Sequence, residues 1–404
     1  MPSPTRTLTT RTARGLVDGS SFPSASNRRV GVEIEWFTTP SSSPPDIPAL
    51  HHLLDPLVPL PNGSAITFEP GGQVELSSQP YESCGEACTA LAADADLVRA
   101  ELARHDVGVF AAGIDPARPL RLLTTEPRYV SMRRHWDVQG IAGARMMCTS
   151  AAVHVNVDAG RDAVGFRRWR LAHQLGPVLV AAFANSPLVD GRPTGWKSSR
   201  MAAWLGIDRT RAAPVPSNGD PARAWISYAL AANVMFIRAP ESYIPLLEPF
   251  PFQRWIDEGH DLGYPTEDDL AYHLTTLFPP VRPHGRLELR MIDMVPDPWW
   301  RVAVAVTIAL LYDDEAADRA EEATARTVGL WHEAARFGVD HPAVNDAVRQ
   351  CFDAAGAALD RTGCDPETRD AVRGYADRYI RAGRCPADDQ LQNQPEPTSI
   401  AEAI

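Results

Sequence analysis

Alternating apolar and polar residues mark several segments of the chain as strands with one polar face. Residues 29–37 (RVGVEIEWF), 148–158 (CTSAAVHVNVD) and 286–292 (RLELRMI) follow this period of two, which is typical of a half-buried strand. Two shorter extended runs, 65–68 and 73–77, flank a Pro-Gly-Gly sequence that predicts a turn. The first half of the chain is therefore predicted to consist of strands with intervening helices.

Helical signals lie between these strands and dominate the second half of the sequence. Ser83-Cys-Gly-Glu86 is a capping-box pattern, and it predicts a helix that runs to about Arg104. A second long helix is predicted from about Arg161 to Asn185, after the strand at 148–158. Residues 107–113 favour one further buried strand. From Pro298 almost to Arg381 the chain is predicted to be helical.

These patterns predict one domain with two appendages. Residues 1–27 are rich in Ser, Thr and Arg and lack an apolar stretch, which favours a flexible start and excludes a secretory signal. Residues 28–385 form the predicted domain, mostly helical over 298–385, and 386–404 form a polar tail. The sequence leaves open whether the helical third is a separate unit or a buttress for the sheet.

Composition narrows the class of protein further. The 404 residues carry 39 basic and 51 acidic side chains, a net charge of −12, which argues against a nucleic-acid-binding surface. The longest apolar runs, such as 302–312, are too short to span a membrane. Six cysteines without a C-x-x-C pair indicate a soluble protein of the reducing cytoplasm.

The polar residues on the strands are the candidate chemistry. Side chains two apart on a strand share a face, and the polar faces carry Glu33 and Glu35, Gln73 and Glu75, His154 and Asn156, and Arg286 with Glu288 and Arg290. One such face alone is best interpreted as solvated, but four together could line a shared cavity. Crowded carboxylates repel unless cations neutralise them, and oxygen ligands suit Mg²⁺. Glutamates beside arginines therefore indicate a site for a metal and nucleotide phosphates.

A loop over residues 185–200 (NSPLVDGRPTGWKSSR) supplies a further candidate. Its Gly and Lys lack the spacing of a phosphate-binding loop, so that motif is rejected. Lys197 is the only lysine of the chain, but a lone lysine is more often merely solvated. Arg200 is the better candidate to bind a carboxylate, because its planar fork can bind in a bidentate manner. Zincin, hydrolase-elbow and dinucleotide-binding motifs are absent from the sequence.

The same residues carry a family resemblance. The chain resembles the glutamate-cysteine ligases of the plant and actinobacterial type, within the glutamine-synthetase-like superfamily of carboxylate-amine ligases. The matching segments, in the family's order and spanning about two thirds of the chain, are GVEIEWF (31–37), FEPGGQVELS (68–77), MCTSAAVHVNVD (147–158), NSPLVDGRPTGWKSSR (185–200) and RLELRMID (286–293). EPGGQ-x-E is the most specific of them. The resemblance is strongest to the actinobacterial members that make γ-glutamylcysteine for ergothioneine synthesis.

The resemblance implies an α+β fold, in which a curved, mainly antiparallel sheet forms a saddle backed by helices. It implies ATP-dependent joining of L-glutamate to L-cysteine through a γ-glutamyl phosphate, with ATP and Mg²⁺ bound in the hollow of the sheet. The implied metal ligands are Glu33, Glu35, Glu69, Glu75 and Glu288. The implied substrate-binding residues are Arg200, Gln73, Asn156 and His154, and the implied catalytic residues are Arg290 and Arg286.

Alternatives to this function stay open at the level of sequence. His154 departs from the glutamine of plant relatives, which leaves its role undefined. A ligase with another amine acceptor would have the same acidic floor. A catalytically silent protein that binds glutamate or nucleotide, or a guanidino kinase with a related fold, is a weaker alternative. In each case the expected partners are small molecules, without nucleic acid or membrane, and the oligomeric state is not predicted.

Overall fold

The computed structural model describes residues 8–23, 27–239 and 242–393, and within them helices outnumber strands. Most helices begin at a Ser, Thr, Asp or His whose side chain accepts a backbone N–H, as Ser83 does from Glu86. The helices are Thr10–Ser21 (α1), Ile47–Leu54 (α2), Cys84–Arg104 (α3), Pro127–Asp137 (α4), Ile141–Thr149 (α5), Ala163–Gln174 (α6), Gly176–Ala182 (α7), Ser199–Gly206 (α8), Arg209–Ala212 (α9), Pro221–Ala231 (α10), Phe252–Glu258 (α11), Glu267–Leu274 (α12), Trp299–Tyr312 (α13), Asp314–Thr324 (α14), Trp331–Phe337 (α15), Pro342–Ala358 (α16), Pro366–Tyr375 (α17) and Pro386–Gln392 (α18).

Seven of the eleven strands in the described ranges form one antiparallel sheet, and the other four form two separate antiparallel pairs. The strands are Val30–Thr38 (β1), Ala65–Phe68 (β2), Val74–Ser77 (β3), Val109–Phe110 (β4), Ala152–Asp158 (β5), Leu188–Val189 (β6), Arg192–Pro193 (β7), Phe236–Ala239 (β8), Ser242–Pro245 (β9), Val281–Pro283 (β10) and Arg286–Asp293 (β11). The main sheet has the order β10-β11-β5-β1-β3-β2, with β4 added to β1. All its recorded pairings are antiparallel. The predicted α+β fold with a mainly antiparallel sheet is confirmed.

The register of the strands places the polar residues on one face. Glu35 lies opposite Glu75, and Glu33 lies opposite His154. Because paired residues in an antiparallel sheet point the same way, these side chains converge on one side. The pairing of β11 with β5 shifts by one residue between Leu289 and Ile292. This bulge keeps the side chain of Arg290 on the polar face and turns that of Asp293 onto the same face.

The opposite face of the sheet carries the core. Helices α3 and α13 pack on it against β1 and β5, and α13 is buried along nearly its whole length. Helices α14, α16 and α17 in turn pack against α13. The helical third is thus a buttress that holds the sheet from behind. None of the helices in the described ranges is long and apolar enough to cross a membrane.

Three predicted elements have different bounds in the structure. The strand expected over 148–158 begins only at Ala152, since Cys148 and Thr149 end α5. The helix expected over 161–185 is divided into α6 and α7 at Gly176-Pro177, because proline cannot donate to a continuing helix. The strand expected at 107–113 is reduced to β4.

The prediction of a flexible start is wrong for residues 8–23. Helix α1 forms there and buries Ala13, Val17 and Ser21, which recur every four residues. The Leu8 backbone N–H donates to Pro265 O at 3.1 Å, and Gln253 binds the Thr10 hydroxyl at 2.8 Å. Most residues of this segment are small or polar, so the narrow apolar stripe of α1 was not recognised in the sequence. The first seven residues and residues 24–26 lie outside the described ranges.

The prediction of a polar tail is also wrong where the structure describes it. Helix α18 buries Pro386 and Ala387, and the Gln390 amide donates to the Asn185 backbone and side chain at 2.9 and 2.6 Å. Lys197 is not merely solvated, as the sequence suggested. Its side chain is 14% exposed and forms ion pairs with Asp388 and, at 3.1 Å, with Asp340. The sole lysine therefore fixes the last helix to the 185–200 loop.

We expect Lys197→Met to lower the free energy of unfolding by about 1–3 kcal/mol, because it leaves the partly buried Asp388 carboxylate without its cation. Urea denaturation of the two proteins measures the difference. Lys197→Arg, which keeps the charge, is the matched control and should lose less. Equal stability of Lys197→Met and the parent protein would contradict this role of the ion pair.

Candidate active site

A cavity of about 390 Å³ lies on the polar face of the sheet. Ten of the eleven residues predicted from sequence line it, all except Asn156. The strands form its floor, and helices α4, α5 and α8 contribute walls. The structure therefore brings together carboxylates, arginines and one histidine that lie as far apart in the chain as residues 33 and 290.

Glu33, His154 and Glu288 form the first of two groups of possible metal ligands. Each offers one atom, and these atoms lie within 4.8 Å of one another. His154 Nδ1 lies 2.9 Å from Glu33 Oε2, so a proton on Nδ1 donates to that carboxylate. Burial, reinforced by Arg290, lowers the pKa of His154 and favours its neutral form. Burial opposes ionisation of Glu33, but the hydrogen bond from His154, with help from the charge of Arg290, outweighs burial and lowers the pKa of Glu33.

Glu35, Glu75 and the same His154 form the second group. Burial raises the pKa of Glu35 well above its usual range, and the nearby Glu69 and Glu75 raise it further. Burial likewise raises the pKa of Glu75 to about 8, with additional repulsion from Glu69 and Glu33. The pKa of Glu69 is raised by burial, although Arg290 partly compensates. The carboxylates of Glu35, Glu69 and Glu75 are thus buried near one another, and their ionised forms repel.

The two groups fit a divalent cation. His154 Nε2 is buried with no hydrogen-bond partner in the described structure and lies 3.7 Å from Glu35 Oε1. With the proton on Nδ1, Nε2 carries a free lone pair beside carboxylates whose repulsion a cation would relieve. Carboxylate oxygens predominate among the candidate ligands, which suits a hard ion such as Mg²⁺. The donors to a metal would be Glu33, Glu35, Glu75, Glu288 and His154, with Glu69 beside them.

Two arginines hold Glu288 on the other side of the cavity. Arg282 binds its carboxylate in a bidentate manner at 2.6 and 3.1 Å, and Arg290 Nη1 binds it at 2.8 Å. Burial disfavours the Glu288 carboxylate, but the charges of Arg290 and Arg282 outweigh burial and lower the pKa of Glu288. The Arg290 Nε is buried without a partner in the described structure. Arg290 therefore keeps a donor free next to the candidate metal ligands.

Arg200 lies deeper in the wall of the same cavity. Its side chain packs on Trp204 at 4.6 Å, and Nη2 donates to Arg290 O at 2.8 Å. Asp293, brought onto this face by the bulge, lies 3.9 Å from Arg200 Nη1 and accepts bonds from Ser186 and Ser198. Arg200 Nε is buried with no partner in the described part of the chain. The guanidinium is thus held in place with a donor left over for an anion.

Gln73 and Asn156 were both predicted to contact the substrate, but the structure places them differently. Gln73 lines the cavity, and its amide donates to Ser150 O at 2.7 Å, which leaves Oε1 buried and unpartnered in the described structure. Asn156 does not line the cavity. It donates to Glu33 Oε1 at 3.0 Å and accepts from Arg286 Nε at 2.7 Å. Asn156 therefore orients Glu33 and Arg286, and we reassign it from substrate contact to positioning residue.

Sequence reasoning missed several residues of the walls. They are Arg128, Tyr129, Met132, Met146, Met147, Trp204, Phe278 and Arg282. Most lie on helices, where a residue that faces a cavity shares its spacing with residues that face the core. Arg282 lies on β10, which is too short to show alternation. The turn signal His284-Gly285 between two extended runs could have identified that hairpin.

Comparison with known families identifies the family of this chain. The family described as glutamate-cysteine ligase family 2 matches residues 29–403. The chain belongs to this family, and the resemblance inferred from the strand motifs is confirmed. A glutamate-cysteine ligase, EgtA, of Mycolicibacterium smegmatis is 42% identical over 374 residues, which cover 89% of this chain and 86% of that protein. EgtA of Mycobacterium tuberculosis is 37% identical over 89% of this chain and 85% of its own.

More distant similarity shows the fold. The chloroplastic glutamate-cysteine ligase of Arabidopsis thaliana is 31% identical over 65% of this chain and 52% of its own. The crystal structure of a glutamate-cysteine ligase from Francisella tularensis in complex with AMP aligns with a TM-score of 0.57 at 13% identity, covering 92% of this chain and 85% of that one. The sheet with helices behind it is therefore a fold that this chain shares with that solved structure.

Proposed function

We propose that this protein is an ATP-dependent glutamate-cysteine ligase. It joins the γ-carboxylate of L-glutamate to the amino group of L-cysteine and makes the γ-glutamylcysteine used for ergothioneine synthesis. The observation that carries the proposal is the convergence of buried, mutually repelling carboxylates with partly unpartnered arginines in one cavity. Together with family membership, this arrangement supports transfer of a phosphoryl group to a carboxylate.

ATP is needed because a carboxylate is a poor acyl donor. Transfer of the terminal phosphoryl group of ATP to the γ-carboxylate gives γ-glutamyl phosphate and ADP. Arg290, with Nε free and Nη1 anchored on Glu288, lies where it can stabilise the charge of the transferred group. Arg286, half-exposed and oriented by Asn156, supplies a second cation. The cysteine amine then attacks the acyl phosphate, and phosphate leaves.

Substrate binding is assigned to the residues with spare hydrogen-bonding atoms. Arg200 would bind a carboxylate of glutamate, because its guanidinium is fixed and its Nε is unpartnered in the described structure. Gln73 Oε1 would accept from the glutamate ammonium group. Both residues are almost fully buried. Fixed, buried groups cost little reorganisation when the substrate binds.

The walls support cysteine as the acceptor. Met132, Met146 and Met147 line the cavity together with Trp204 and Phe278. Thioethers and aromatic rings are polarisable and adapt to a small apolar side chain, and a thiol behaves as one. An acceptor with a charged side chain would lose hydration against this wall.

Mg²⁺ is part of the proposal as the ion that the two ligand groups would hold. Glu33, Glu35, Glu75, Glu288 and His154 would bind it, with Glu69 adjacent. When bound, it neutralises nucleotide phosphates and polarises the transferred group. Both cysteine and the product carry a free thiol, which a reducing compartment preserves. We accordingly propose the cytoplasm as the location of the enzyme.

The test is to incubate the pure protein with ATP, Mg²⁺, glutamate and cysteine. We expect ADP and γ-glutamylcysteine in equal amounts, and no product once EDTA has removed the metal. Absence of both products from the complete mixture would refute the proposed function, and it would favour a silent binding protein.

Replacing cysteine by other amines in the same mixture addresses the choice of acceptor. We expect the highest kcat/KM with cysteine. A different amine that reacts faster would identify the protein as a ligase of another acceptor. A stable phosphorylated guanidine without a peptide product would indicate a guanidino kinase.

A further inference from the structure

Helix α18 binds the start of the 185–200 loop. The Ala387 backbone N–H donates to Ala184 O at 2.9 Å. The Gln390 side-chain amide donates to both oxygens of Asn185, the backbone carbonyl at 2.9 Å and the side-chain oxygen at 2.6 Å. The Asn185 amide nitrogen in turn donates to the backbone carbonyl directly after β11 at 2.8 Å, so its side-chain oxygen is left to face Gln390. Helix α18 therefore fixes both the backbone and the side chain of Asn185.

Helix α18 is itself fixed by the residues that follow α17. The Tyr379 hydroxyl donates to Asp389 Oδ2 at 2.8 Å. Arg378 and Arg384 bind the same carboxylate at 2.8 and 2.7 Å. Because α17 packs on α13 behind the sheet, α18 links the helical buttress to the loop.

The start of the loop is bonded directly to Arg200 and to the side chain that holds it. The Asn185 backbone N–H donates to Asp293 Oδ2 at 2.9 Å, and the Ser186 hydroxyl donates to the same oxygen at 2.6 Å. The Ser186 hydroxyl oxygen also accepts the backbone N–H of Arg200 at 3.1 Å. Asp293 Oδ1 lies 3.9 Å from Arg200 Nη1. The loop start therefore contacts the backbone of Arg200 directly and its guanidinium through Asp293.

This network is buried and tightly packed. Asn185, Ser186, Arg200 and Asp293 are all almost fully buried. A Cβ at Gly113 would lie only 2.4 Å from the Asp293 carboxyl carbon, so the chain packs closely against that side chain as well. Close-packed interiors transmit a displacement because they have little free space to absorb it. A shift of Asn185 should therefore also shift Arg200.

We propose that Gln390 is a positioning residue for glutamate binding, which acts through Asn185 and Asp293 on Arg200. This inference rests on the proposed function, in which Arg200 binds a carboxylate of glutamate. Gln390 does not line the cavity, so it has no direct contact with a substrate there. The fork of an arginine binds a carboxylate well only in a defined orientation, and Gln390 helps to fix that orientation from outside the cavity.

The experiment measures glutamate affinity apart from turnover. Calorimetry gives the Kd of glutamate, in the presence of Mg²⁺ and ADP, for the parent protein, Gln390→Ala and Gln390→Glu. Alanine loses both hydrogen bonds to Asn185, and glutamate keeps the size but places carboxylate oxygens against two acceptors. We expect the Kd of glutamate to rise about threefold to tenfold in Gln390→Ala, as for the loss of one or two hydrogen bonds, and further in Gln390→Glu.

Two further measurements separate positioning from general stability. The Kd of ADP should stay unchanged in both variants. In steady-state assays the KM for glutamate should rise while kcat stays unchanged, which is the sign of lost substrate binding. In an Arg200→Lys background, Gln390→Ala should no longer affect the Kd of glutamate, because two residues of one network are not additive.

Gln392→Ala is the matched control. Gln392 is exposed on the same helix and binds Arg384 at 2.9 Å instead of the loop, so its replacement should change neither Kd. Unchanged glutamate affinity in both Gln390 variants, or an equal rise in the Kd values of glutamate and ADP, would overturn the proposal and leave the ligase function intact. An effect that persists in Arg200→Lys would overturn it too. Glutamate binding that weakens in Gln390→Glu, in a protein that makes no γ-glutamylcysteine, would support the positioning role and refute the ligase function.

Discussion

Replacing Glu75 with glutamine is expected to lower the ligation rate by about 1,000-fold, equivalent to about 4 kcal/mol of transition-state stabilisation. The amide keeps the size of the side chain and the bond from the Thr67 hydroxyl, which is 2.6 Å long in the parent protein. It removes the negative charge that a divalent cation would need. Steady-state assays with saturating ATP, glutamate and cysteine measure the loss. Near-normal turnover would show that Glu75 is not a metal ligand.

The same substitution should stabilise the metal-free protein at alkaline pH. The pKa of Glu75 is about 8, mainly through burial, against an ordinary value of 4.5. As the pH rises from about 4.5 to about 8, the unfolded chain gives up this proton while the folded protein retains it, so stability falls. At 1.36 kcal/mol per pKa unit, the loss is of the order of a few kcal/mol. Glu75→Gln should remove this slope.

Denaturation with urea at pH 5 and pH 8.5, in EDTA and in Mg²⁺, checks this expectation. Mg²⁺ should restore the stability of the parent protein at pH 8.5 and have less effect on Glu75→Gln. Glu82→Gln, at an exposed glutamate outside the cavity, is the matched control and should change neither rate nor slope. A variant that loses both activity and stability would indicate a structural role for Glu75 instead.

A strand could be predicted from the sequence where it contains enough residues to show alternation. β1, β3, β5 and β11 alternate clearly enough that the polar face could be predicted before the structure. Alternation with a period of two shows which side chains share a face, and it can be recognised from the local sequence alone. All of the residues that the pattern placed on that face, except Asn156, meet in one cavity, because the register pairs Glu35 with Glu75 and Glu33 with His154.

The missed residues depend on information that no local pattern carries. Asp293 reaches the polar face only because β11 contains a bulge, and strict alternation would have placed Ile292 there. Arg282 lies on a strand of three residues. Asn156 was correctly placed on the polar face, yet its contacts with Glu33 and Arg286 shield it from the cavity. Whether a residue on the polar face reaches the cavity depends on tertiary contacts, which the local sequence does not show.

The balance of positive and negative charge differs between the two sides of the cavity. Around Glu288, two arginines compensate one carboxylate, and its pKa falls. Around Glu35 and Glu75, carboxylates outnumber cations, and their pKa values rise. The first side is neutralised by the protein itself, whereas the second gains most from an added cation. Metal ions and phosphates together would therefore balance a charge distribution that the protein alone leaves uneven.

Arg290→Lys is expected to lower kcat by about 100-fold or more, while the KM for glutamate changes less than threefold. Removal of one donor that stabilises charge in a transition state costs about 10² to 10³ in rate. Lysine keeps the charge but lacks the planar fork that binds Glu288 through Nη1 and leaves Nε free. Rapid-quench measurement of acyl phosphate formation locates the loss in the first step.

Arg192→Lys, at an exposed arginine of β7, is the control. A large rise in the KM for glutamate with normal kcat would instead assign Arg290 to substrate binding, because an interaction made only in the transition state leaves KM unchanged.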